Sequence, residues 1–383
     1  MISTHSRGHA RGGPPMVDMD RDPVVVFWEV TQACALACIH CRAEAQPKRH
    51  PLELTDEESM KVLEDLTRFD HMPIVVLSGG DPFMHPNLFK FVERGIELGL
   101  TMSVSPAATA LLTRQRLQRL VDLGVSRISL SLDGSTAEAH DAFRRVDGSF
   151  ERTLQGMADA RDVGLEFQVN TTVTRQTVDD LPAVADLLVA SGAVLWDVFM
   201  LVPTGRGQTD DVISAEEHER VFGWLYDLSG TVPYMVKTTL GQHYRRVQVL
   251  KRLVAEGKSD VELTPELVKS MYRGLPTNDG RGILFISHLG EVFPSGFLPV
   301  TAGNVRKESI VELYRNGDVF RTLRTPSQLK GKCGQCPFNE ICGGCRARAY
   351  GATGDYLEPE SFCVFQPPEA KSHATETARV TGS

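Results

Sequence analysis

The chain has 383 residues, enough for one barrel-sized domain and a smaller second domain. Its hydrophobic fraction of 42% and charged fraction of 23% are ordinary for a globular protein, and a net charge of −8 gives no electrostatic support for a nucleic-acid partner. No run approaches the roughly eighteen apolar residues of a membrane span, and the N-terminus lacks a signal peptide's apolar core. We therefore expect a cytoplasmic protein with neither a nucleic-acid nor a membrane partner.

The composition predicts a disordered leader over residues 1–22, rich in Gly, Pro, Arg and His, and a flexible polar tail over residues 367–383. Between them, short β-rich runs alternate with amphipathic helical runs. The predicted strands are 24–30, 73–78, 101–105, 126–132, 166–173 and 194–202. The predicted helices are 55–70, 86–99, 112–123, 150–163, 178–191 and 215–229.

This alternation predicts parallel strands joined by right-handed crossovers, in an α/β fold. Six strand–helix units over residues 23–230 correspond to a partial (β/α)6 TIM-type barrel, whose functional groups gather at the carboxyl ends of the strands. Residues 231–280 are expected to form a helical bridge. Residues 281–366 are expected to form a small cysteine-rich domain.

Directly after the first predicted strand, Cys34, Cys38 and Cys41 form a Cys-x3-Cys-x2-Cys triplet. Three thiolates on one loop can occupy three corners of a four-iron cube, whose usual ligands are thiolates. No fourth cysteine lies nearby, so one iron would be open to a small molecule. The alternatives are half of a zinc site or buried thiols that merely pack, although zinc sites more often open with Cys-x2-Cys.

The triplet resembles that of the radical S-adenosylmethionine (SAM) superfamily. The resemblance implies that the open iron of a 4Fe–4S cluster chelates the amino and carboxylate groups of SAM. An electron from the cluster then cleaves SAM to a 5′-deoxyadenosyl radical. It further implies an oxidoreductase or maturase that needs an external one-electron reductant of the flavodoxin or ferredoxin type.

The turn after the second predicted strand reads Ser-Gly-Gly-Asp-Pro. Paired glycines let a backbone turn sharply and approach a ligand closely. The superfamily usually has Gly-Gly-Glu-Pro here, with its backbone against the SAM amino group. The resemblance therefore makes Gly79, Gly80, Asp81 and Pro82 SAM-binding candidates, and an ordinary strand-to-helix turn is the alternative.

Polar residues also follow the later strands. The resemblance implies that Ser131 and Asp133 bind the SAM ribose, although Asp133 could instead cap a turn. Arg144 is a candidate partner for the SAM carboxylate or for an acidic substrate, or else a solvated surface charge. Asn170 and Thr172 share one face of a strand, where inward polar groups need a ligand or each other.

His40 precedes the last cysteine of the triplet, at a position that is often aromatic in radical SAM enzymes and lies against the adenine. It could instead shield the cluster. The loop at residues 201–207, after the sixth strand, is where members of the superfamily approach the adenine.

Cys333, Cys336, Cys342, Cys345 and Cys363 form a second cysteine group near the C-terminal end. This group resembles the SPASM or twitch auxiliary-cluster domains of radical SAM enzymes. The resemblance implies that Cys333, Cys336, Cys342 and Cys363 bind one auxiliary 4Fe–4S cluster. Cys345 would be an alternate ligand, a nearby thiol or inert. Ser295 stands where many relatives carry a cysteine, so one auxiliary cluster is expected, not two. The alternative is a zinc ribbon, which would leave Cys363 unexplained.

A fully ligated auxiliary cluster suits electron transfer from a substrate radical, so a net oxidation is expected. The second cysteine group is most similar to that of the heme and heme d1 biosynthesis proteins and their peptide-modifying relatives. The leading hypothesis is oxidation of a tetrapyrrole side chain, and the second is a maturase that cross-links a ribosomal precursor peptide. A non-enzymatic iron–sulfur or zinc protein is the third. We name no catalytic residue beyond the cluster ligands.

Overall fold

A computed structural model describes residues 17–367 of the chain. Its ten strands are β1 (Val25–Thr31), β2 (Ile74–Gly79), β3 (Thr101–Val104), β4 (Arg127–Ser131), β5 (Glu166–Val173), β6 (Leu195–Met200), β7 (Met235–Thr239), β8 (Ile283–Ile286), β9 (Glu291–Phe293) and β10 (Gly303–Asn304). They form one sheet in the order β10-β9-β8-β1-β2-β3-β4-β5-β6-β7. Strands β1 to β7 are parallel to their neighbours, β8 pairs parallel with β1, and β9 and β10 add antiparallel strands.

The α-helices of the described residues follow the strands in turn. They are α1 (Asp56–Leu66), α2 (Leu88–Glu97), α3 (Arg114–Asp122), α4 (Ala137–Arg144), α5 (Ser149–Asp162), α6 (Leu181–Ser191), α7 (Ala215–Leu228), α8 (Tyr244–Ala255), α9 (Pro265–Met271), α10 (Ile310–Asn316), α11 (Asp318–Leu323), α12 (Gly331–Gly334) and α13 (Arg346–Thr353). None of them is long and apolar enough to cross a membrane.

Local sequence explains where these helices begin. Thr55 and Ser214 each form a complete capping box at the start of α1 and α7, with the glutamate three residues later. The main apolar core includes the fully buried Trp28 and Trp196 of the sheet. A second, smaller core joins α8 and α9 to Phe338 and Ile341 of the C-terminal segment. The predicted α/β fold with a partial barrel is confirmed, and all six predicted strands and six predicted helices of residues 23–230 are present.

The predicted disorder of residues 1–22 is wrong for residues 17–22. Met19 and Asp22 are buried. The Tyr314 hydroxyl donates to the carbonyl oxygen of Met19 at 2.6 Å, and Arg315 pairs with Asp22 at 3.0 Å. The partners lie almost three hundred residues away, so local composition could not reveal them. Residues 1–16 of the predicted leader and residues 368–383 of the predicted tail lie outside the described residues.

Residues 231–280 are not solely a helical bridge, because they also contain β7. This strand extends the barrel sheet by pairing in parallel with β6. Its sequence, MVKTT, is exposed or half-buried along its length and lacks the apolar pattern that identified the other strands. The sheet also continues past the expected boundary at residue 281, because β8 pairs with β1.

Candidate cofactor-binding sites

The cysteine triplet lies on the loop that leaves the carboxyl end of β1. Cys34 and Cys38 are buried and Cys41 is half-buried. The backbone N–H of Leu36 donates to Cys34 Sγ at 3.3 Å, and that of Ala45 donates to Cys41 Sγ at 3.5 Å. Burial raises the pKa of the Cys34 thiol to about 12. This sulfur therefore ionises at neutral pH only where a metal centre replaces its proton.

The donor chemistry of this loop fits an iron–sulfur cluster. One loop carries three soft sulfur donors in apolar surroundings that include Leu36, and backbone N–H groups donate to two of the sulfurs. Among residues 17–367, no three Cys, His, Asp or Glu side chains converge in the way that a single metal ion requires.

The Gly-Gly-Asp-Pro turn after β2 supports the backbone that enters the cysteine loop. The N–H of Gly80 donates to the Thr31 carbonyl oxygen at 2.8 Å, and that of Asp81 donates to the Ala33 carbonyl oxygen at 2.7 Å. A side chain at Gly80 would place its Cβ 2.4 Å from this Ala33 oxygen. Gly79 has a φ of 155°. The two glycines therefore allow a contact that any larger residue would block.

The Asp81 side chain is enclosed within this turn. It is fully buried, and its two oxygens accept from the Thr109 hydroxyl at 2.7 Å and from the Phe83 N–H at 3.1 Å. Pro82 follows as the first residue of a short 3-10 helix. Asp81 thus fixes the turn, and only backbone groups of the turn are left to face a ligand.

Arg144 joins Asp133 to the cysteine triplet. Its guanidinium forms an ion pair with Asp133 and donates to Cys38 Sγ at 3.6 Å, with only 12% of the side chain exposed. Asp133 also accepts from the Thr172 N–H at 2.7 Å. Burial alone would raise the pKa of Asp133, but the Arg144 guanidinium, two nearby histidines and the Thr172 N–H together hold that pKa below its ordinary value. Arg144 is therefore not a solvated surface charge, and it brings a fixed positive charge to Cys38.

His40 lies beside this ion pair. Its ring stacks on Phe143, with ring centroids 4.4 Å apart and planes 20° apart. Burial lowers the pKa of His40 to about 4, so the ring is neutral at pH 7. Within residues 17–367 its Nδ1 atom has no hydrogen-bond partner, and neither has the buried Nε atom of Arg144. Buried polar atoms are rarely left unpaired, so a ligand is expected here.

The remaining predicted polar residues lie on the neighbouring strands. Ser131 pairs in register with Asn170 across β4 and β5, and both are half-buried. Asn170 accepts from the Gln168 side chain at 2.9 Å. Thr172 binds Asp133 through its backbone, not through its hydroxyl. Asn170 and Thr172 are therefore not paired with each other.

A cleft of about 560 Å³ opens at this end of the barrel, large enough for a nucleoside-sized ligand. It is lined by Ile39, Asp133, Ala139, Ala142, Phe143, Arg145, Gln176, Thr177, Asp180, Arg206, Gln208 and Asp211. Arg206 also donates its backbone N–H to the Cys41 carbonyl oxygen at 3.0 Å, while its Nε is buried without a partner in the described chain. The loop at residues 201–207 thus lies against the cysteine loop, a contact that the sequence analysis had not predicted.

The second cysteine group surrounds a separate small cavity. Four thiols line it, those of Cys333, Cys336, Cys342 and Cys363. Cys345 does not line it. Its Sγ instead accepts from the backbone N–H of Arg348 at 3.4 Å, which caps the start of α13. The four thiols that share the cavity are the four that the sequence assigned to one auxiliary cluster.

The cavity is also lined by residues that the sequence analysis missed. They are His243, Arg246, Lys332, Phe338, Asn339, Gly343, Gly344, Glu360 and Phe365. His243 and Arg246 come from the start of α8, about ninety residues before Cys333, and belong to no recognisable motif. Ser295 is buried and accepts from the Phe297 N–H at 3.2 Å, and it does not line the cavity.

A buried ion pair connects this cavity to the barrel. Arg348 donates to both carboxylate oxygens of Glu360 at 3.0 and 2.9 Å, and to the Leu201 and Leu240 carbonyl oxygens at 3.3 and 3.0 Å. The backbone N–H of Glu360 donates to Cys333 Sγ at 3.3 Å. Because Leu201 begins the loop that contacts Cys41, one continuous set of contacts joins the two cysteine groups.

Arg42, directly after the triplet, was also missed. Its guanidinium pairs with Glu29 at 2.9 Å and lies 4.4 Å from the centre of the Phe285 ring. Glu29 also pairs with His288 Nδ1 at 2.6 Å. Glu29 is a charged residue within the apolar first strand, which could have indicated a buried ion pair. Its partner His288 is 259 residues away and could not be identified from the sequence.

Comparison with known proteins gives consistent results. The "Radical SAM superfamily" model matches residues 28–188. The chain is 38% identical over 352 residues to the AdoMet-dependent heme synthase of Methanosarcina barkeri, covering 92% of this chain and 99% of that one. It is 41% identical over 372 residues to the AdoMet-dependent heme synthase of Nitratidesulfovibrio vulgaris, covering 96% and 98%. The mycofactocin maturase MftC of Mycobacterium tuberculosis is 30% identical over 357 residues, covering 89% and 83%.

Among solved structures, the chain resembles Streptococcus suis SuiB bound to S-adenosylmethionine. The TM-score is 0.68 over 90% of this chain and 78% of that one, at 15% identity. At this identity the likeness shows a shared fold.

Proposed function

Because this chain belongs to the radical SAM superfamily, we propose that it oxidises a tetrapyrrole side chain in the formation of heme. The chain is a radical SAM enzyme, and the family implies SAM and a 4Fe–4S cluster as cofactors. The hypothesis of a non-enzymatic scaffold is therefore wrong. The observation that carries the tetrapyrrole proposal is the identity of 38% and 41% to two heme synthases over nearly the whole length of each chain.

The first part of the proposal assigns Cys34, Cys38 and Cys41 to the cluster that binds SAM. A cluster held by these thiolates would supply the electron for reductive cleavage of SAM to a 5′-deoxyadenosyl radical. The N–H groups of Leu36 and Ala45 and the Arg144 guanidinium favour the ionised sulfurs, because each donates to one of them.

The second part places SAM in the 560 Å³ cleft beside the triplet. His40, stacked on Phe143, would face the adenine. Asp133 would accept hydrogen bonds from the ribose hydroxyls, since Asp133 lines the cleft and its ion pair with Arg144 keeps the carboxylate ionised. The turn formed by Gly79, Gly80, Asp81 and Pro82 would present its backbone carbonyls to the SAM amino group.

Around that nucleoside, Ser131, Asn170 and Thr172 would provide hydroxyl and amide groups from the adjacent strands. The unpartnered Nε atoms of Arg144 and Arg206 are donors suited to an anionic or carbonyl oxygen of the ligand.

The third part assigns the auxiliary 4Fe–4S cluster to Cys333, Cys336, Cys342 and Cys363, because these four thiols share one cavity. Cys345 would then be a helix cap and not a ligand.

Conversion of one propionate side chain to a vinyl group removes one hydrogen atom, one carbon dioxide molecule and one electron. The cavity with four thiols is where an acceptor for that electron would lie.

A second candidate function is modification of a precursor peptide, favoured by the 30% identity to MftC over 89% of this chain. The two functions are separated by supplying each substrate to the same anaerobically reconstituted enzyme, with SAM and flavodoxin or dithionite as reductant. We expect an iron porphyrin that carries propionates in place of vinyl groups to lose the mass of carbon dioxide and two hydrogen atoms at each modified side chain.

The matched control is the Cys34→Ala variant, which should give no product with either substrate. A mass loss only in a precursor peptide encoded near this gene, with the porphyrin unchanged, would refute the tetrapyrrole proposal.

A further inference from the structure

His243 is a buried polar side chain without a partner, at the edge of the cavity that contains four cysteine thiols. Only 1% of the residue is exposed, and within residues 17–367 neither ring nitrogen has a hydrogen-bond partner. In either protonation state an imidazole carries at least one N–H donor, and leaving such a donor buried without a partner is energetically unfavourable. A group placed in this way is expected to have a partner that the protein chain does not supply.

The ring packs against two aromatic neighbours, neither of which lines the cavity. The ring of Phe222 lies 4.6 Å away, edge to face at 79°, and the ring of His218 lies 5.4 Å away. His218 has its own partner, because its Nδ1 lies 2.8 Å from the Ser214 carbonyl oxygen, and it does not line the cavity. Of this histidine pair, only His243 reaches the space between Cys333, Cys336, Cys342 and Cys363.

We propose that His243 donates a ring N–H to the auxiliary iron–sulfur cluster and thereby raises the reduction potential of that cluster. This inference rests on the auxiliary cluster of the proposed function. Sulfur atoms of a cluster and its thiolates accept hydrogen bonds, and such bonds stabilise the reduced form because it carries one more negative charge. His243 is thus a positioning residue for electron transfer and not a cluster ligand.

Positive side chains outnumber negative ones in the cavity lining, where the carboxylate of Glu360 is paired with Arg348. Arg246 and Lys332 line the cavity, and the Lys332 Nζ donates to the Cys363 carbonyl oxygen at 2.5 Å. The Arg346 guanidinium donates to Cys333 Sγ at 3.7 Å. Donors and positive charges around a cluster favour electron uptake, as a reaction that releases an electron from its substrate requires. Among these donors, His243 is the one that has no other partner in the described chain.

The test is a potentiometric titration of the anaerobically reconstituted full-length enzyme, followed by electron paramagnetic resonance. The auxiliary cluster is identified as the one whose signal does not change when SAM is added. We expect His243→Phe to lower the midpoint potential of the auxiliary cluster, with unchanged iron content and an unchanged midpoint for the SAM-binding cluster. His243→Gln, which retains an N–H donor, should restore part of the shift.

The matched control is His218→Phe, which alters the same aromatic contact without touching the cavity and should leave both midpoints at the wild-type values. An unchanged auxiliary midpoint in His243→Phe, with full iron content, overturns the inference. Selective loss of the auxiliary cluster in both His243→Phe and His243→Gln, but not in His218→Phe, also overturns it, because His243 would then be a ligand.

A second measurement does not depend on the folding of any variant. Pulsed resonance on wild-type enzyme labelled with ¹⁵N-histidine should show a weak nitrogen coupling at the auxiliary cluster, as a hydrogen bond to sulfur gives. The absence of coupling, or the strong coupling of a direct ligand, overturns the inference. A wild-type enzyme without any SAM-insensitive cluster would refute the auxiliary cluster and this inference with it, whereas the assignment of the cysteine triplet to SAM cleavage would stand.

Discussion

Replacing Arg348 by methionine is expected to loosen the attachment of the C-terminal cysteine segment to the barrel. Arg348 and Glu360 both have fully buried side chains, and they are joined by two hydrogen bonds. The same guanidinium donates to the carbonyl oxygens of Leu201 and Leu240, on the loops after β6 and β7. Methionine has a similar length but can satisfy none of these four acceptors.

The expected loss in the free energy of unfolding comes from the Glu360 carboxylate, which the substitution leaves buried without its partner. Removal of one partner of a buried ion pair costs about 3–5 kcal/mol, because the other charge remains buried and uncompensated. With an unfolding entropy of about 2.1 cal/mol/K per residue, the Tm of a 383-residue chain shifts by roughly 1.2 °C per kcal/mol, so the Tm of the enzyme should fall by about 4–6 °C. The double variant Arg348→Met/Glu360→Gln should recover part of this loss, because it removes the stranded charge.

The assay is thermal unfolding of the holoenzyme under anaerobic conditions, at one scan rate for all variants. The control is Arg114→Met, which breaks an ion pair with Asp162 whose side chains are 57% and 45% exposed. That exposed pair should contribute less than about 1 kcal/mol. If Arg348→Met changes the Tm no more than Arg114→Met does, or if the double variant recovers nothing, the ion pair does not hold the two parts together.

Three further predictions follow from the same contacts. Gly80→Ala should lower the iron content of the SAM-binding cluster, because the new methyl group would lie 2.4 Å from a backbone oxygen of the cysteine loop. In the same iron assay the control Gly223→Ala, whose methyl group would have no neighbour within 4 Å, should keep the wild-type iron content. Cys345→Ser should keep full iron content, since a hydroxyl can also cap α13. Cys342→Ser should lose the auxiliary cluster. Equal loss of iron in both variants would contradict the assignment of Cys342 as a ligand and of Cys345 as a helix cap. Burial alone would raise the pKa of Glu360, but its buried arginine partner holds it below the ordinary 4.5, so its stabilising contribution should be complete above about pH 4.5 and decline below it. The Tm of the wild-type enzyme should therefore decrease between pH 6 and pH 4. If the Tm of Glu360→Gln depended on pH in the same way as that of the wild type, Glu360 would not be the source of the decrease.

The sequence predicted the fold wherever a segment carried its own signal. The six barrel strands and their helices have clear apolar periodicity, and Thr55 and Ser214 are visible caps. β7 was missed because its polar, half-exposed residues pair with β6 and show no periodicity of their own. The ordering of Met19 was missed because its partner, Tyr314, is supplied by the tertiary fold.

The same distinction, between residues with a local sequence signal and residues brought together only by tertiary packing, applies to the candidate site. The cysteines and the glycine pair could be singled out from the sequence because their spacing is itself the signal, and their roles at the clusters and SAM stay predictions. The pairing of Arg144 with Asp133 and Cys38 was not foreseen, although all three residues had been singled out, because it depends on how α4 packs above the cysteine loop. His243 had no local signal at all, since only the packing of α8 against the C-terminal segment brings it to the thiols.

The central claim is that the cysteine triplet holds the centre that cleaves SAM, while the second group serves only the later electron transfer. The most direct measurement quantifies 5′-deoxyadenosine and modified tetrapyrrole in one anaerobic reaction of wild type, Cys34→Ala and Cys336→Ala. We predict that Cys34→Ala forms neither compound, and that Cys336→Ala forms 5′-deoxyadenosine slowly without product. SAM cleavage by Cys34→Ala, or an equal loss of cleavage in both variants, would contradict this division of labour.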